Sequence, residues 1–82
     1  RRAAAARAAE VLGGRPLTPA YRQAAERHAR RVAEIQRVIE VARAEKAPAP
    51  AKRARALLRR ERARHAAWLE RYARHLEREA GR

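Results

Sequence analysis

Between Pro19 and Pro48, and again between Pro50 and Gly81, no glycine or proline interrupts the chain. Stretches of that length are too long for strands, which usually run 3–10 residues. Their apolar residues recur with the helical period rather than alternating. In the first, Tyr21, Ala25, His28, Val32, Ile35, Ile39 and Ala42 fall on one stripe at about 100° per residue, with Arg and Glu opposite. The second lines up Ala54, Leu57, Leu58, Glu61, His65, Trp68, Leu69, Tyr72 and Leu76. Two long amphipathic helices are the only economical reading.

Local punctuation sets their ends. Thr18 is placed to act as an N-cap, with Pro19 at the first helical position, where a missing N–H costs nothing. That helix runs to about residue 46 and stops before Pro48, because the residue preceding a proline avoids the helical region. Residues 47–51 then read as a short stiff turn, and a further helix fills 52–80, with Gly81 as its terminator. Upstream, the Ala-rich residues 1–12 form a short helix that Gly13-Gly14 can close in the left-handed conformation. Loops this short force antiparallel neighbours. The predicted fold is all-α and a single domain over 1–82: an up-down-up three-helix bundle with a short helix over about 1–12 and two long antiparallel helices over about 18–46 and 52–80. The short helix covers about half of the long pair by length. The remaining seam is where a protein partner or another copy would dock.

The chain has 82 residues, 23 of them Ala, and lacks Phe, Met and Cys. A core of this size supplies only a few kcal/mol of net stability. Without Cys there is no disulfide framework, thiolate metal site or Cys nucleophile. Ser and Asp are absent too, as is a Gly-rich phosphate loop, so the expectation is binding and not catalysis. Glu61 and His65 share a helix face and could form an acid/base pair, but an ion pair of Glu61 with Arg59, Arg62 or Arg64 is the simpler fate. No apolar run approaches the roughly 20 residues that span a bilayer, and Arg1-Arg2 followed by four Ala lacks the leucine-rich stretch of a secretory signal. The expectation is a soluble protein, cytoplasmic by default, with no membrane insertion.

Pairing the long helices about Pro48–Pro50 brings His28 level with Leu69 to Tyr72, with His65 roughly 7 Å away and Glu61 about 13 Å below. Tyr21, His28, His65, Trp68 and Tyr72 then share one half of the bundle, with Ala3 to Ala6 opposite. Small residues facing aromatic and imidazole groups mean either close packing or room for a ligand. Packing without a cofactor is the plainer expectation. Haem, with the two His as axial ligands and Arg at its propionates, is the cofactor the pattern would admit. The level of Glu61 argues against a three-ligand metal site, and His75 reads as a surface residue.

Lys and Arg number 22 against 9 acidic residues, a formal charge of +13. Seven of these cations, Lys52, Arg53, Arg55, Arg59, Arg60, Arg62 and Arg64, crowd the start of the last helix beside a single Glu. The helix macrodipole disfavours positive charge there, so stability alone does not ask for it. Lys52, Arg55, Arg59 and Arg62 form one rail, and Arg53, Arg60 and Arg64 form another. Arginine forks grip phosphates bidentately, which makes DNA or RNA, bound through phosphates, the expected polyanion. No aromatic residue interleaves the rails, which argues against base stacking on a single strand.

Ala and Arg together make 43 of the 82 residues, while Asp, Asn and Ser do not occur. With the Ala4-Ala5-Ala6 run, the Gly13-Gly14 stop, the Thr18-Pro19 start and the Pro48-Ala49-Pro50 loop, the chain resembles computationally designed (de novo) helical bundles more than a natural family. The resemblance covers the whole chain and implies a non-enzymatic helical-bundle scaffold or interaction module. The near absence of Lys departs from it, since designed surfaces usually carry Lys. Three roles therefore stand as expectations: docking a protein partner or another copy, binding nucleic acid through the Arg-rich segment, and holding a small molecule or haem near His28 and His65.

Overall fold

The computed structural model describes residues 18–81, and among them it contains two helices and no strand. Helix α1 spans Pro19–Ala44 and helix α2 spans Pro48–Ala80. They pack antiparallel as a rod 55 × 18 × 17 Å in extent. The architecture is thus a helical hairpin, which corrects the expected up-down-up three-helix bundle: the two apolar stripes cover one another, and that is the one helix–helix interface among the described residues. The helix expected over about 1–12, and the placement of Ala3 to Ala6 opposite His28, lie outside the described residues.

Helix α1 starts as its sequence predicts. Thr18 has extended backbone angles, and its Oγ1 accepts a hydrogen bond from the Tyr21 backbone N–H at 3.2 Å, satisfying one of the four N–H groups that a helix start leaves without partners. Its end is less obvious from sequence. The Ala47 N–H donates to the Ala42 carbonyl at 2.8 Å and the Lys46 N–H to that of Arg43 at 3.1 Å, while Lys46 has a φ of 54°. This pair of bonds is the Schellman closure, in which a left-handed residue reverses the chain; glycine usually fills that position, but here it is lysine.

The second long helix begins at Pro48, four residues before the expected Lys52, so 47–51 is not a turn. Pro48 and Pro50 occupy the first and third helical positions, where N–H groups have no intrahelical acceptor and proline is tolerated. Ala47, the N-cap, provides no side-chain cap. Because the chain reverses at Lys46 and not at Pro48–Pro50, each α1 residue faces one about seven positions earlier on α2 than expected, roughly 10 Å of helical rise.

Packing along the seam changes character from end to end. Near the closed end it is lined by Ala42, Ala51 and Ala54, all buried, so the backbones approach closely. At the open end Leu69 and Ala73 are buried under Tyr21, Trp68, Tyr72 and Leu76. Between them lies buried Glu61, only 8% exposed. No described side chain is fully enclosed, as expected when two helices alone share a seam.

Candidate functional site

Glu61 is the polar centre of the interface. With a carboxylate able only to accept, His28 Nδ1 donates to Oε2 at 2.6 Å; Arg64 Nε donates to Oε1 at 3.1 Å and Arg64 Nη2 to Oε2 at 2.8 Å. Arg31 reaches Oε1 at 3.8 Å from the other helix. The ion pairs among the described residues all converge on this one carboxylate. Burial pushes the Glu61 carboxyl up, but the hydrogen bonds from Arg64 and His28, with their charges, outweigh burial and hold its pKa down at about 2. The bond to Glu61 raises the Arg64 pKa in turn. Helical spacing alone places Glu61 about 13 Å below His28; the earlier chain reversal removes most of that offset, and the side chains span the rest.

Aromatic rings continue from this centre toward the open end. The His28 and His65 rings stack at 4.0 Å, 6° from parallel, followed by His65 on Trp68 at 6.0 Å and Trp68 on Tyr72 at 5.0 Å. His75, exposed, extends the ladder at 6.5 Å from Tyr72. The Tyr72 hydroxyl shares a hydrogen bond with Thr18 Oγ1, tying the ladder to the α1 cap. Desolvation lowers the His65 pKa, with the neighbouring His28 acting in the same sense. Of the residues expected to line a ligand pocket, His28, His65, Trp68 and Tyr72 are thus stacked on one another, and Tyr21 packs on the Leu69–Ala73 core. Two grooves among the described residues are lined by other side chains, one running from Arg30 to Pro50 and one at the closed end. No group of three His or Glu side chains among the described residues is arranged to hold a metal ion.

The seven basic residues of the polyanion expectation are all exposed along the first half of α2. Arg64 is drawn to Glu61; Lys52, Arg53, Arg55, Arg59, Arg60 and Arg62 have no carboxylate within ion-pair distance among the described residues. Helical spacing keeps Lys52, Arg55, Arg59 and Arg62 on one flank and Arg53, Arg60 and Arg64 on the other. The structure adds cations that sequence reasoning missed: Arg31 beside Glu61, and Arg43 and Lys46, which border a shallow concavity together with Arg55. Their signal was visible only with the register known, since 43 and 55 meet only across the reversal.

A second surface is apolar. Val38 and Val41 are 52% and 50% exposed on α1, where Val32, Ala33, Ile35, Val38, Ile39, Val41 and Ala42 make seven of eleven residues apolar. That is a wider apolar arc than one neighbouring helix can cover. Val38, Val41, Ala33 and Pro50 line a groove there, with Arg37 and Glu45 at its margin. No protein-family model, curated protein or solved structure matches the chain.

Proposed function

We propose that the chain is a non-enzymatic interaction module, a stiff helical hairpin whose principal ligand is a polyanion bound along the first half of α2. The observation that carries this reading is the density of exposed cations in the first half of α2, where Lys52, Arg53, Arg55, Arg59, Arg60 and Arg62 form two rails with no carboxylate partner among the described residues. Their repulsion is a standing cost to the fold that a bound polyanion would relieve. Phosphate suits the arginine forks best, so nucleic acid is the polyanion of choice.

Because any protein of charge +13 binds DNA at low salt, the test is local. Arg55, Arg59 and Arg62 changed together to Gln should flatten the log-affinity against log-salt plot by about three contacts, near 0.9 each; Arg22, Arg30 and Arg37 changed together should do much less. Equal losses would mean diffuse attraction without a site.

A second reading has its own observation. The exposed Val38 and Val41 strip supports docking of a protein partner or another copy against α1. The two readings use different faces and respond oppositely to salt.

A further inference from the structure

We infer that the hairpin binds double-stranded nucleic acid astride its closed end, with phosphates of one strand on the α2 rail and phosphates of the other on Arg43 and Lys46. The inference rests on the polyanion reading and adds to it the cross-helix half of the site and the form of the ligand.

Three observations combine. The first is shape: the concavity at the closed end has Ala42, Ala51 and Pro48 in it and Arg43, Lys46 and Arg55 around it. Ala42 and Ala51 are buried, so a floor of short side chains lies between Arg43 and Lys46 from one helix end and Arg55 from the other helix. The second is spacing. Arg43 and Lys46 stand at the end of one helix and the rail on the other, and packed helix axes lie about 8–10 Å apart. Cations projecting from two adjacent helices form two rows, as the two strands bordering a minor groove present two rows of phosphates, whereas one flexible strand has only one row to offer. The third is what the aromatic residues do. His65, Trp68 and Tyr72 are stacked on one another within the hairpin, so they do not offer free faces to unpaired bases.

Other polyanions fit less well. The concavity contains no large apolar side chain to enter a lipid layer, as an interfacial helix would require. A flexible acidic polypeptide would gain nothing from two rigid rows. The Schellman bonds hold the Lys46 backbone, so the point from which its side chain projects is set before binding.

The test uses the full chain, a 30-base-pair duplex as probe, and affinities measured across a salt series. Three variants each remove two charges: Arg43→Gln with Lys46→Gln, Arg59→Gln with Arg62→Gln, and Arg74→Gln with Arg78→Gln at the open end. Helical dichroism is checked for each. The inference expects the turn pair and the rail pair each to lower the salt slope by about two contacts, so that the affinity lost between about 50 and 200 mM salt shrinks roughly ten-fold, and the open-end pair to change it little. It also expects a single strand of equal phosphate number to bind more weakly and to be indifferent to the turn pair. If the rail pair acts but the turn pair behaves like the open-end pair, the straddled site is wrong and the polyanion reading stands. If all three pairs act alike, both fail. Equal binding of the single strand, or of polyglutamate at matched charge, would overturn the duplex assignment.

Discussion

Lys46 occupies a backbone position that usually belongs to glycine. Its φ of 54° places Cβ against the following carbonyl, a strain of about 1 kcal/mol for an L-residue. Lys46→Gly should therefore raise stability by roughly 0.5–1 kcal/mol, part of the relief being offset by the greater freedom of glycine in the unfolded chain. A lower urea midpoint would show that the lysine side chain contributes more than the strain removes. At the other end of α1, Thr18→Ala should cost about 1 kcal/mol, since it removes the cap on the Tyr21 N–H and the partner of the Tyr72 hydroxyl. Thr18→Ser, which keeps the hydroxyl, should recover most of that loss in the same denaturation assay. Glu61 and the nearby His65 predict a pH dependence with a definite sign. Both His65 and Glu61 have folded pKa values below their unfolded ones, so each resists protonation in the hairpin and contributes stability that acid removes. The His65 contribution is complete above about 6.5 and declines below it; that of Glu61 is complete above about 4.5 and is lost as pH falls toward 2. The melting temperature should fall from pH 7.5 to 5.5, and the fall should be smaller in His65→Phe, which keeps a stacked ring without a titrating group. An unchanged fall would assign it to other groups.

At the scale of the helix, the alanine seam is the feature with the sharpest consequence. Ala54 is only 2% exposed, and with Ala42 and Ala51 it sets how closely the backbones approach. Ala54→Leu should destabilise by about 1–3 kcal/mol through overpacking, whereas Leu57→Ala, on a half-exposed position of the same helix, should change stability much less. Thermal melts of the two variants in parallel check this. The helices themselves are legible from residue spacing, because the 3.6-residue period of Tyr21 to Ala42 and of Ala54 to Leu76 is a geometric property of the chain. The Thr18-Pro19 start is legible for the same reason. What spacing does not reveal is the register. Residues 47–51 look like a turn because two prolines there suggest a break, yet both fit the first turn of α2, where no N–H is needed. Reversal depends instead on a left-handed lysine, which no side-chain preference announces. Moving the reversal from Pro48–Pro50 to Lys46 separates a sequence-level view of His28 level with Leu69 to Tyr72 from the actual His28–Glu61 bond. The six cations in the first half of α2 that lack a carboxylate partner among the described residues are readable from the sequence, but Arg43 and Lys46 join them only through the register.

For the whole molecule, charge and apolar area act in opposite directions on association. A net +13 repels a second copy, while Val38 and Val41 offer α1 a surface that water disfavours. Repulsion between exposed charges reaches about a Debye length, roughly 10 Å at 0.1 M salt and 3 Å at 1 M, but the apolar attraction is not weakened by salt. Self-association through this strip should therefore strengthen with salt, at the concentrations where nucleic-acid binding fades because counterions no longer gain from release. Light scattering at about 0.05 M and 1 M NaCl should show the mass rising toward a multiple of the chain at high salt. The melting temperature should then depend on protein concentration, since association stabilises by mass action. Val38→Gln with Val41→Gln should abolish both effects without loss of helicity. A mass equal to one chain at every salt concentration, with a melting temperature independent of concentration, would exclude a second copy from the α1 strip and leave a different protein as its occupant.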